Sequence, residues 1–159
     1  MSRGIVVVGV GNPLRGDDGI GPAVVEALRG RVPEGTVLAV SDGEPGRLLD
    51  IWRGTDTVIV VEALRGPSAR PGRLHTLTPA EAADHARSTS STHGLGLEDC
   101  LALAEVLDLL PRELVIHAME VTSVELGARL SEAARAAFPE LADRVAASVR
   151  HAYTRGHRP

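Results

Sequence analysis

Short, continuous apolar runs alternate along this chain with stretches whose apolar residues recur at helical spacing. Ile5 to Val10 is β-branched and bounded by glycines, the pattern of a strand buried on both faces. A helix is expected after it, because Pro22 suits a first turn and Ala23, Val24, Ala27 and Leu28 share one face up to Gly30. Thr36 to Val40 and Thr57 to Ala63 read as the second and third strands, with the turn residues of Ser41 to Gly46 and a short helix, Leu48 to Trp52, between them. Arg73 to Leu77 follows a Gly- and Pro-containing loop and reads as a weaker edge strand. One or two helical turns are expected over Pro79 to Ala86 and a Ser/Thr-rich loop over Arg87 to Thr92. Leu97, Leu101, Ala104, Leu107 and Leu110 then form a helical stripe closed by Pro111. Leu114 to Met119 is the last strand. Ser131 to Ala137 and Glu140 to Tyr153 read as two helices split by Pro139, which supplies no N–H to a helix ladder, and Arg155 to Pro159 reads as a frayed tail.

This alternation predicts an α/β three-layer sandwich, a mostly parallel five-stranded sheet with helices on both faces. The 159 residues fit a single domain, 1–159, able to bury a core without disulfides. One Phe, one Tyr and one Trp leave that core to Val, Leu, Ile and Ala, as suits a covered parallel sheet. Right-handed crossovers place the first and third strands side by side if the second lies on the far side of the first. Their carboxyl ends then meet in the crevice where strand order reverses, with neighbouring strands only ~4.8 Å apart.

The charge balance changes the picture mainly by exclusion. A net charge of −4, from 21 acids against 17 arginines and no lysine, lacks the basic surplus a nucleic-acid binder needs. A lone Cys100, no signal-like start and no apolar run of the roughly 20 residues that span a bilayer predict a cytoplasmic protein away from membranes, with a monomer as the default.

Candidate chemistry gathers at the strand ends. The first strand leads into Gly9-Val-Gly-Asn-Pro-Leu-Arg-Gly-Asp-Asp-Gly-Ile-Gly21, the third ends on Glu62, and His93 opens a later helix. Of the adjacent acids, Asp17 is assigned to a cap or a loop hydrogen bond and Asp18 to the crevice. Asp18, Glu62 and His93 would form a mixed oxygen and nitrogen donor set for a divalent metal such as zinc or nickel, with a position left open for water or substrate. Taken singly, each has an ordinary structural reading: a helix cap, a solvent rim and a helix-start residue. Their shared address favours a site. A dinucleotide fingerprint is a poor fit, since its third glycine falls on Leu14 and Pro13 removes a backbone donor; Gly9 and Gly11 then serve a tight turn. Cys100 lies seven residues past His93, roughly 10 Å along a helix, and reads as packing. Ser88, Ser90 and Ser91 lack a nucleophile elbow, and His75, His85, His117, His151 and His157 show no ligand spacing, while Glu120 is a minor candidate.

With Thr92-His-Gly-Leu95 added, these motifs resemble the hydrogenase maturation endopeptidases across nearly the whole chain. The resemblance implies a protease that trims the C-terminus of the nickel-iron hydrogenase large-subunit precursor and recognises nickel already inserted there. It also implies three metal-contacting residues, an acid in the first motif, an acid after the third strand and a histidine, which map onto Asp18, Glu62 and His93. The family typically carries Asp where this chain has Glu62 and often Glu where it has Asp18, swaps that move reach by about 1.5 Å in opposite directions. Asp42-Gly43 matches a small family motif that would shape the crevice rim. A non-catalytic assembly factor that docks the precursor is the alternative from another class.

Overall fold

In a computed structural model, which describes residues 4–89, 95–122 and 124–157, one five-stranded sheet lies between two helical layers. The chain runs β1 (Ile5–Val10), a 3-10 turn (Gly16–Gly19), α1 (Ile20–Ala27), β2 (Val37–Ser41), α2 (Pro45–Trp52), β3 (Thr57–Arg65), β4 (Leu74–Leu77), α3 (Pro79–Thr89), α4 (Leu95–Val106), β5 (Glu113–Val121) and α5 (Glu132–Gly156). The strand order is β2-β1-β3-β5-β4, so β1 and β3 are neighbours, with Ile5 opposite Thr57 and Gly9 opposite Val61. Only β4, at the edge, is antiparallel.

Alternation along the strands divides the core. Val7, Ile59, Val61 and Met119 face α1 and α5, where Ile20, Val24, Leu141, Val145 and Val149 cover them. Val6, Val8, Val58, Val60 and Ile116 face the opposite layer, closed by Leu48 and Trp52 of α2 and Leu97, Cys100 and Ala104 of α4. Such β-branched runs, buried on both sides, are what a covered parallel sheet requires.

Four sequence expectations are corrected. Pro139 does not divide the last helix; α5 runs through it and includes Arg155 and Gly156. A buried stripe of Ala134, Leu141, Ala142, Val145, Ala146, Val149 and Ala152 spans the proline, while Pro139 itself faces solvent, where water can satisfy the orphaned carbonyl. Tertiary burial thus overrides a local break. The tail is also held further than expected, because Arg155 pairs with Glu113. On α4 the stripe stops short: the helix ends at Val106, Asp108 turns the chain at φ 54, and Leu107 and Leu110 are exposed while Leu109 packs inward. α2 begins earlier than its apolar pattern suggests, because the Glu44 carboxylate accepts hydrogen bonds from Gly46 and Arg47 N–H and Pro45 starts the first turn.

His117, expected to carry no ligand role, is a satisfied core histidine. Its ring nitrogens contact Thr76 Oγ1 at 3.1 Å and Ser148 Oγ at 2.8 Å. Burial, aided by the Arg144 charge, pushes it down to about 4. Because the folded value lies below the ordinary 6.5, its contribution is intact above pH 6.5 and is lost as pH falls towards 4. We expect His117→Gln to flatten the acid limb of the unfolding curve by up to about 3 kcal/mol between those limits, measured by urea titration at each pH. A slope identical to wild type would contradict this.

Candidate active site

The crevice forms where β1 ends beside β3, which carries Glu62 just past the Gly9–Val61 pair and runs on to Arg65 rather than stopping at Ala63 as expected. Gly9 carries no side chain, and a Cβ there would lie 2.4 Å from the Gly21 carbonyl oxygen. A Cβ on Gly21 would in turn lie 2.4 Å from the Val61 carbonyl oxygen. The start of α1 is therefore seated directly on the ends of β1 and β3. Gly9 is thus a packing glycine within β1, whereas Gly11, at φ 141, makes the turn that sequence reasoning assigned to both. A Cβ on Gly11 would lie 1.9 Å from the Asp18 carbonyl oxygen. These approaches bring the Asp17-Asp18 turn back over the strand ends.

The two acids of that turn part company. Asp17 is buried, with its carboxylate accepting the Ser131 N–H and the Ser131 hydroxyl, each at 2.6 Å. It therefore ties the turn to the start of α5 and caps no helix of its own. Asp18 faces the crevice, where its Oδ2 accepts the Asn12 N–H at 2.8 Å and Oδ1 makes no such bond among the described residues.

Asp18 and Glu62 line one cavity of about 510 Å³ with Val10, Gly11, Arg15 and Ala63, and with Asp42-Gly43 at the rim. The rim is built by short bonds: Ser41 Oγ accepts Gly43 N–H at 3.1 Å and Asp42 Oδ1 accepts Glu44 N–H at 3.0 Å. Glu62 is pushed up to about 8 by burial and, second, by the Asp18 carboxylate nearby. Two like charges in one partly desolvated space hold the second proton on. A cation between them would release it.

This has a stability consequence. A folded value above the ordinary 4.5 leaves stability unaffected below pH 4.5 and erodes it as pH rises to 8, where the charge must be buried. Glu62→Gln should therefore be more stable than wild type to chemical denaturation above pH 8, by about 1–3 kcal/mol after discounting for partial exposure, and match it near pH 4.5. A difference independent of pH would rule out the like-charge account.

His93 lies outside the described residues, so the structure places two of the three expected donors together. Among the described residues no group of three or more His, Cys, Asp or Glu is arranged to hold a metal. The set Asp18 and Glu62 supplies is hard oxygen, which an imidazole would complete for nickel or zinc. Glu120 is absent from the crevice: its carboxylate lies 3.1 Å from His75 Nε2 and 3.6 Å from Arg73 Nε. Cys100 is buried, its thiol pushed up to about 12 by burial and the Glu44 charge, and is inert packing. Sequence reasoning gave no role to Arg15 or Arg65, although Arg15 sits within the first motif and Arg65 three residues past Glu62. Both line the cavity.

Comparison with known proteins identifies the family. The HycI family profile, described as hydrogenase maturation protease, matches residues 22–148, a span that includes Glu62 and begins just after Asp18. The Hydrogenase 2 maturation protease of Escherichia coli (strain K12) is 28% identical over 148 residues, which cover 92% of this chain and 90% of the relative. The hydrogenase expression/formation protein HupM of Azotobacter chroococcum mcd 1 is 33% identical over 139 residues, 85% of this chain and 66% of its own. The solved structure of the hydrogenase maturating endopeptidase HybD from E. coli superimposes with a TM-score of 0.81 at 27% identity, over 93% of both chains. A profile match over most of the chain, and a fold shared with that endopeptidase over 93% of both chains, lead to one conclusion: the chain belongs to the hydrogenase maturation protease family.

Proposed function

We propose that this protein is the endopeptidase that removes the C-terminal extension of a nickel-iron hydrogenase large-subunit precursor once nickel has been inserted. The observation that carries the reading is the convergence of Asp18 and Glu62, from separate elements, on one cavity. Nickel belongs to the substrate here, and Asp18, Glu62 and His93 are the residues that engage it. Asp18 is preset by the Asn12 N–H, leaving Oδ1 to meet the cation. Glu62 gives up its proton to solvent when that charge arrives, and its carboxylate joins Asp18 on the nickel. A carboxylate oxygen left off the nickel, on Asp18 or Glu62, is the general base for water attacking the adjacent peptide carbonyl, so cleavage waits for the loaded precursor.

A cavity of about 510 Å³ falls in the range of ordinary ligand sites and suits a few residues of extended chain. No described helix is long and apolar enough to cross a membrane. The reading places the protein in the cytoplasm as a monomer, meeting a folded precursor there. Its test is the intact mass of the precursor after incubation with the protein. The nickel-loaded form should lose a single C-terminal segment while the nickel-free form keeps its mass. A stable complex with no mass loss would instead establish the assembly-factor role.

A further inference from the structure

We propose that Arg15 and Arg65 form a carboxylate-binding subsite of the crevice, which holds an acidic group of the substrate's C-terminal segment and so sets which peptide bond lies over Asp18 and Glu62. This rests on the endopeptidase reading above. The charges in the cavity divide into those already answered and those left open. At the rim, Asp42 is paired with Arg47 at 2.7 Å, and the Glu44 carboxylate is occupied by Gly46 and Arg47 N–H. The same lining carries Asp18 and Glu62 and the guanidiniums of half-buried Arg65 and exposed Arg15, which form no ion pair among the described residues. Elsewhere Arg29, Arg31, Arg53, Arg144 and Arg155 each lie against an acid, while Arg70, Arg112, Arg129, Arg135 and Arg150, which form no ion pair among the described residues, line no part of this cavity.

Both are carried on fixed backbone. Arg65 ends β3 opposite Val121 and is half-buried, where a charge without a partner is costly. Arg15 is held in its turn by its N–H on Asn12 O and by Asp18 N–H on its own carbonyl. A guanidinium presents a planar fork that matches a carboxylate with two parallel hydrogen bonds. A ligand that carries a cation to Asp18 and Glu62 and a carboxylate to the arginines would satisfy all four residues at once. In an extended chain, at ~3.3 Å per residue, those two groups can be a few residues apart. The carboxylate can be an Asp or Glu side chain of the segment or its terminal carboxylate.

The test uses synthetic peptides of the precursor's C-terminal segment, titrated by calorimetry against wild type and Arg15→Gln/Arg65→Gln. Three peptides are compared: native, with every Asp and Glu replaced by its amide, and with an amidated C-terminus. The double variant should bind the native peptide about 10- to 100-fold more weakly. One neutralised peptide should show the same loss on wild type and no further loss on the variant, which identifies the source of the carboxylate. With nickel-loaded precursor the variant should raise KM by a similar factor and lose the single cleavage position, giving products of more than one mass. Equal affinity of both proteins for the native peptide, no binding by wild type, or equal losses for all three peptides would overturn the subsite. Arginine-dependent binding with an uncut precursor would sink the endopeptidase reading and leave the subsite standing.

Discussion

Asp18→Asn, Glu62→Gln and His93→Ala should each lower single-turnover cleavage of nickel-loaded precursor by about 10³-fold or more, because each removes a group that acts only with the others. The three losses should not add: a double variant should be scarcely worse than either single one, as for any set that works as a unit. Glu62→Gln is the most informative of the three, since it keeps the shape and hydrogen-bonding reach of the side chain. It also removes the like charge beside Asp18, so the same substitution that abolishes cutting should stabilise the fold at high pH. Loss of activity with a gain in stability separates a functional carboxylate from a structural one. Cleavage within tenfold of wild type for any single variant would remove that residue from the assignment.

The second large effect concerns Gly21, and its sign is opposite to the usual expectation. A glycine replaced by alanine in a helix ordinarily gains up to about 1 kcal/mol. Gly21 lies in α1, yet a Cβ there would meet the Val61 carbonyl oxygen at 2.4 Å and both Val10 N and O at 2.8 Å. These neighbours are backbone and cannot swing aside. We expect Gly21→Ala to cost on the order of 3 kcal/mol or more and to displace the turn that carries Asp18, so activity falls with stability. Gly46 in α2 is the control, because a Cβ there finds only Glu44 side-chain oxygens at 3.4 Å. Gly46→Ala should be close to neutral in chemical denaturation. A stabilised Gly21→Ala would mean that α1 does not rest on the strand ends as described.

Much of this molecule could be read before its coordinates, where the signal was local. Ile5 to Val10 and Thr57 to Ala63 announce buried strands through β-branched residues alone, and their adjacency followed from crossover handedness. The assignment of one acid to structure and its neighbour to the crevice also follows what the hydrogen bonds show, although the partner of Asp17, Ser131, lies 114 residues away. What escaped was set by distant partners. Pro139 carries a strong local break signal, while the stripe that keeps α5 intact is anchored by strands across the core. Gly9 read as turn material because nothing in its own segment reveals the Gly21 carbonyl pressed against it. Arg15 stands in the first motif and Arg65 three residues past Glu62, but only the fold shows that both line one cavity with no acid paired to either among the described residues.

The crevice itself, as the place where precursor meets protein, is open to one direct measurement. A photoreactive phenylalanine analogue at Asp42, exposed on the crevice rim, would be irradiated with nickel-loaded precursor and the crosslinks mapped by mass spectrometry. The same probe at Arg112, at the opposite end of the sheet, serves as the comparison. Crosslinks from position 42 should fall on the precursor residues flanking the scissile bond, and position 112 should give none there. Capture of that segment at position 112, or at neither position, would contradict the assignment of the crevice as the site of cleavage.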